Sequence, residues 1–137
     1  MNKDERRFEL VRYWWSKAEE SLESAKREYQ AGSYNFTMNR LYYASFYGVC
    51  AALFERGLSF RKHSGVRSAF HKEFIKTKQL DVNYGKLYDQ LFEDRQEGDY
   101  IAFVTFEADY VEHQMKNCVL FLEKLKPFVT LVFEKDV

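Results

Sequence analysis

Apolar side chains recur along this chain at alternating spacings of three and four, the period that lines one face of an α-helix. Phe8, Val11, Trp15, Ala18, Leu22, Ala25 and Tyr29 make the first stripe, which predicts a long helix ending near residues 31–33 with Gly32 as its C-terminal cap. Met38, Leu41, Tyr42, Ser45, Val49, Ala52 and Leu53 mark a second helix over about 34–56, ended by Gly57. Ala44, Gly48, Ala51 and Ala52 keep part of that helix thin, so a neighbouring backbone can come close. A loop follows, then a shorter helix from about Ser64 that turns Val66, Phe70 and Phe74 inward. Another covers roughly 83–96, with Leu87, Leu91 and Tyr84 as its inward positions. The last long helix is expected to begin between 101 and 105 and carries Ala108, Val111, Met115, Cys118, Leu122 and Leu125 until Pro127 ends or bends it.

Beyond the proline, residues 128–133 are apolar and uncharged. Left open they would be a sticky segment, so they are expected to pack on the bundle or on a second copy, as helix or strand. With one proline and six glycines in 137 residues, and no repeat, linker or low-complexity stretch, the chain reads as one domain over 1–137. The expected fold is all-α: an up-and-down helical bundle of three long and two shorter helices, with its core over about 8–126 and an apolar tail over 127–137.

Composition adds two constraints. Thirteen Phe, ten Tyr and two Trp give 18% aromatics, which points to a thickly packed core and an aromatic interface. Twenty-one basic residues balance 21 acidic ones, so no global field draws nucleic acid, and any polyanion site must be local. Cys50 and Cys118 stand apart, outside any metal-spaced cluster, as expected of reduced thiols. The charged start and the absence of an apolar run long enough to span a bilayer make the cytoplasm the expected location, with no membrane association.

Three local patterns carry possible chemistry. Segment 61–78 holds Arg61, Lys62, Arg67, Lys72, Lys76 and Lys78 against the single acid Glu73. His63, Arg67 and His71 fall four apart, on one face of a helix that reaches so far, where they could hold phosphates. The plainer expectation is a solvated face balanced by Asp89, Glu93, Asp94, Glu97 and Asp99 of the next helix. In the run from Asn39 to Gly48, Asn39 and Arg40 accompany Tyr42, Tyr43 and Tyr47; the tyrosines read mostly as core or interface filling, the polar pair less so. The third pattern is Asp94, Arg95, Gln96, Glu97, Gly98, Asp99 and Tyr100. Arg95 and Asp99 would pair across one turn if the helix held. The expected alternative is that Gly98 breaks it, Asp99 caps the following helix and Tyr100 anchors the junction. A functional reading sets a permanent cation beside a carboxylate and a phenol where a phosphate is favourably held. His63, His71 and His113 are the only side chains suited by type to proton transfer near neutrality.

These blocks, from Ala31 to Leu53, from Lys62 to Thr77 and from Leu91 to Tyr100, resemble in order and spacing the HEPN domain family (higher eukaryote and prokaryote nucleotide-binding), over about 10–125 and especially its small stand-alone prokaryotic members. The resemblance implies a helical bundle that is commonly a homodimer, often paired with a minimal nucleotidyltransferase as toxin and antitoxin. It also implies metal-independent RNase activity in many members, with no cofactor. Their motif is an Arg followed, four to six residues later, by a His, and two copies face each other across a dimer cleft. The Arg holds the scissile phosphate and the His assists attack by the RNA 2′-hydroxyl. Arg95 matches the Arg, but no His follows in the window, and the next is His113. An aspartate is a poor proton donor at neutral pH, so Asp99 is a weak substitute, and His63 from the basic segment is the replacement to look for. Some toxin members are nucleotidylated on the motif's tyrosine, a place that Tyr100 approaches. The site expected from the resemblance is therefore Arg95, Asp99, Tyr100 and His63, with Asn39, Arg40, Lys62 and Arg67 as nucleotide- or RNA-binding residues and no metal. Three functions compete: an RNase toxin, a non-catalytic nucleotide- or RNA-binding module, and a structural partner of a nucleotidyltransferase.

Overall fold

The computed structural model describes residues 2–130 and 132, and among them the chain forms five α-helices and no strand. Helix α1 spans Lys3–Gln30, α2 Tyr34–Glu55, α3 His63–Phe70, α4 Val82–Tyr100 and α5 Ala108–Leu125. The all-α bundle expected from the periodicity is what forms, with differences at the ends of elements.

Helix α1 opens on Asn2, whose side chain accepts the Glu5 amide proton at 2.8 Å while Asp4 and Glu5 favour the positive end of the helix dipole. It closes at Gly32, which takes the left-handed φ of 77° that only glycine adopts without cost. The three-residue turn folds α2 back against α1 along most of its length. Helix α2 is the centre of the molecule and also touches α3, α4 and α5. Its apolar residues lie nearly all round, as burial among four neighbours requires. Gly48 is the point of closest approach: a Cβ there would lie 2.8 Å from Leu122 Cδ2 and 3.2 Å from Leu125 Cδ1, so the thin strip read in the sequence is where α5 packs.

After Gly57, α3 begins at His63 and passes into a π-helical turn over His71–Ile75 before α4 starts. Asp81 caps α4 by accepting the Asn83 amide proton. Helix α4 continues four residues past the expected stop at Gln96 and runs straight through Gly98. Glycine is needed there for a different reason. Its absent side chain makes room for Phe106, whose Cε2 would stand 3.0 Å from a Cβ, and its carbonyl accepts from Asn35 Nδ2 at 3.3 Å. The same Asn35 amide also holds the Val104 carbonyl at 3.0 Å, so one side chain pins the return loop. Helix α5 consequently starts later than expected, at Ala108, and its N-cap Glu107 makes no side-chain cap.

Pro127 ends α5 in a 3-10 turn over Lys126–Phe128. The described part of the tail packs on its own bundle. Phe128 meets Phe74 edge-on at 5.1 Å, Val129 is fully buried and Thr130 Oγ1 donates to Glu55 Oε2. The rest of the expected apolar tail, residues 131 and 133–137, lies outside the described residues. No helix among the described residues is long and apolar enough to cross a membrane.

Candidate functional site around Arg95

Because α4 stays helical through Gly98, Arg95 and Asp99 remain one turn apart and form an ion pair, with Nη1 to Oδ2 at 3.7 Å. Asp99 is therefore not the cap of the next helix, and the break expected at Gly98 does not occur. The pairing anticipated for an unbroken helix is the one realised. Asp99 also accepts from Asn39 Nδ2 at 2.9 Å, and Asn39 Oδ1 in turn accepts from Arg40 Nε at 2.9 Å and from its Nη2. An amide and a carboxylate thus link two guanidinium groups from different helices.

Arg95 itself is 8% exposed. Packing of α4 on α2 lays its guanidinium over two tyrosine faces, with Cζ 4.9 Å from the Tyr42 ring centre and 5.4 Å from that of Tyr43. Its Nε is buried with no hydrogen-bond partner among the described residues. Taking a guanidinium out of water costs several kcal/mol. A carboxylate 3.7 Å away, itself part-exposed, offsets only a fraction of that. The site is a buried cation with less negative charge around it than burial demands.

His63, the first residue of α3, lies against Tyr42 and Tyr43, the two rings that also carry Arg95. Its Nδ1 is hydrogen-bonded to the Tyr42 hydroxyl at 2.8 Å, and its ring stacks on Phe46 at 4.2 Å. Burial lowers its pKa from 6.5, and the nearby Arg95 charge lowers it further, so the neutral imidazole is favoured at pH 7. Burial raises the Tyr42 phenol to about 12, despite opposing hydrogen bonds and the Arg95 charge, which keeps its proton available.

The remaining expected residues do not join this cluster. The face expected to unite His63 with Arg67 and His71 is split. Arg67 Nε and His71 Nε2 both meet Asp89 Oδ1, at 2.8 and 3.0 Å, and the Arg67 guanidinium covers Phe92 at 4.7 Å. His71 belongs to the π-helical turn, and Gly85 gives it room, since a Cβ there would lie 2.9 Å from its Cε1. Asp89 thus supplies the balance that the charge pattern anticipated, whereas buried Asp94 is taken up by Gln90 and the Tyr110 hydroxyl. Lys62 is exposed at the start of α3. Tyr100 does not anchor a junction: it is 76% exposed at the end of α4. His113 is exposed on α5. Two residues were not singled out for the site, Tyr42 and Asn35. Tyr42 falls on the apolar stripe of α2, and nothing in the spacing distinguishes a tyrosine that bridges an arginine and a histidine from one that fills space. Among the described residues, no three His, Cys, Asp or Glu side chains gather closely enough to hold a metal ion.

Comparison with known proteins places this helical chain in a family. The family model described as HEPN domain matches residues 11–128. The chain is 39% identical over 129 residues to a protein of Thermotoga maritima named "UPF0332 protein", covering 94% of this chain and 96% of that one. It is 37% identical over 113 residues to a Methanocaldococcus jannaschii protein whose name reads "Putative toxin MJ0142", covering 82% of this chain and 77% of the relative. A match of this extent, over all five helices, places the chain in the HEPN domain family.

Proposed function

We propose that this chain is the toxin-like member of a toxin–antitoxin pair whose other member is a minimal nucleotidyltransferase, and that it cleaves RNA without a metal at a cleft between two copies. The observation that carries this reading is the buried, under-compensated Arg95 guanidinium, with the His63 imidazole against the same two tyrosine rings. A phosphodiester supplies the negative charge that Arg95 lacks, and an arginine suits a phosphate through its forked donors. Asp99 and Asn39 hold that guanidinium in place. In the tautomer whose Nδ1–H donates to the Tyr42 oxygen, His63 keeps the Nε2 lone pair free to accept the proton of a ribose 2′-hydroxyl as it attacks phosphorus. Arg95 then stabilises the charge that develops on the phosphoryl oxygens as the 5′-oxygen leaves. The imidazolium returns its proton to that leaving oxygen. Lys62 and Arg40 extend the positive surface on either side. The exposed Tyr100 hydroxyl is reachable by a partner enzyme and is the residue proposed for nucleotidylation. The toxin-named relative supports the assignment of role.

The second reading, a non-catalytic nucleotide- or RNA-binding module, is favoured by one observation: the histidine comes from α3 and not from the position after Arg95 where RNase members carry it. One experiment separates the two. Purified protein is incubated with tRNA and mRNA in EDTA, alongside Arg95→Ala and His63→Ala. Cleavage leaving 2′,3′-cyclic phosphate ends, lost about 10²–10³-fold in each variant, supports the RNase. Intact RNA with Arg95-dependent binding selects the binding module, and neither cleavage nor binding overturns both.

A further inference from the structure

The wall shared by Tyr43 and His63 has a second side. There a cavity of about 300 Å³ opens between α1, α2 and the segment leading into α3. Its lining is aromatic to an unusual degree. Trp14 and Tyr47 stand against one another, 5.5 Å apart at an interplanar angle of 25°, and Phe46 and Phe60 contribute further ring surface. Two cations stand in the lining. The Lys17 ammonium stands 5.2 Å from the Tyr47 ring centre and 5.9 Å from that of Trp14, and the exposed Arg61 meets no carboxylate among the described residues. Tyr43 faces both places: its ring lines the cavity and lies 5.4 Å from the Arg95 guanidinium.

We infer that this cavity is the subsite for a nucleobase of the strand whose phosphate Arg95 holds, and that the two cations in its lining select guanine; the inference rests on the phosphate-binding reading of Arg95 given above. The aromatic lining offers ring surface for stacking to any base, because every base has a π-face. Selection comes from the edge. On the edge away from its sugar guanine presents two adjacent acceptors, O6 and N7, the pair that lysine and arginine read best, whereas cytosine carries an amino donor on that edge. The volume is that of a small-molecule site. Tyr43 is the residue that joins the base cavity to the phosphate place.

Calorimetric titration of the intact protein with guanosine 5′-monophosphate, cytidine 5′-monophosphate and ribose 5-phosphate tests this. The guanine nucleotide is expected to bind about tenfold more tightly than ribose 5-phosphate, the factor that stacking of one base supplies. Trp14→Ala and Lys17→Met should each bring it to within about twofold of ribose 5-phosphate, whose own Arg95-dependent affinity stays unchanged. If Trp14→Ala does not fold, Lys17→Met and Arg61→Met, both at the open side of the cavity, carry the test. Guanine and ribose phosphates binding alike, with Arg95 dependence retained, overturns the subsite and leaves the phosphate reading standing. No binding of either phosphate removes that reading and the subsite with it. Equal binding of the guanine and cytosine nucleotides overturns the selection of guanine. A Trp14→Ala protein that falls to a smaller species in sedimentation while keeping the guanine preference shows that a second copy fills the cavity, which also overturns the proposal.

Discussion

Replacing Arg95 by methionine separates stability from function more sharply than any other change in this molecule. The thioether keeps an aliphatic stem against Tyr42 and Tyr43 and deletes the buried charge. Lost are the contacts of the guanidinium with the two rings at 4.9 and 5.4 Å, about 1–2 kcal/mol each when desolvated. Lost too is the pair with Asp99, worth about 0.3–0.5 kcal/mol at its part-exposed position. Relieved are an unsatisfied Nε–H, about 1–3 kcal/mol, and the burial of a cation, several kcal/mol. The variant is therefore expected to be as stable as the wild type or about 1–2 kcal/mol more stable. Urea unfolding followed by circular dichroism, at one protein concentration so that any association is held constant, reads the change as a shift in midpoint at constant slope. Phosphate and RNA binding should be abolished in the same preparation. A loss of more than about 2 kcal/mol at unchanged slope would refute the argument, because the guanidinium would then be a strut of the fold and not a charge held in reserve for a ligand.

Two further outcomes follow from particular contacts. The His63 pKa is lowered in the folded protein, mainly by burial, so the unfolded chain binds the proton more readily; this contribution to stability is fully present above 6.5 and is lost as pH falls toward the folded value. Wild type should thus lose stability relative to His63→Gln as the pH drops below 6.5, read from paired denaturation curves, and parallel curves would show that the histidine is not desolvated. At Gly48, alanine gains about 1 kcal/mol of helix propensity. Its methyl group, however, meets Leu122 and Leu125 inside contact distance, and overpacking costs about 1–3 kcal/mol. A net loss of about 1 kcal/mol is expected in thermal unfolding, and the double variant with Leu122→Ala should lose less than the two single losses added together; a stabilised Gly48→Ala would mean that α2 and α5 are less closely packed than described.

Much of this protein could be read directly from its residues. The three–four spacing located all five helices, because burial of one face is the strongest demand that folding places on a helical sequence. It even located the thin strip at Gly48 where α5 approaches, since small residues on an apolar stripe have few other uses. The ordered blocks that resemble the HEPN family did the rest for fold and membership. The sequence could also name Arg95 and His63 as residues of the right chemical type. It could not bring them together, because both are brought to Tyr42 by the docking of α3 and α4 on α2, a relation between helices that no spacing within one helix encodes. Nor could it tell why Gly98 is glycine. Locally it reads as a stop, and only the approach of Phe106 and the grip of Asn35 reveal a helix that continues and so keeps Asp99 beside Arg95. Periodic burial is written in the order of residues. How far a buried cation is compensated depends on distances across the bundle, and those exist only once the helices have packed.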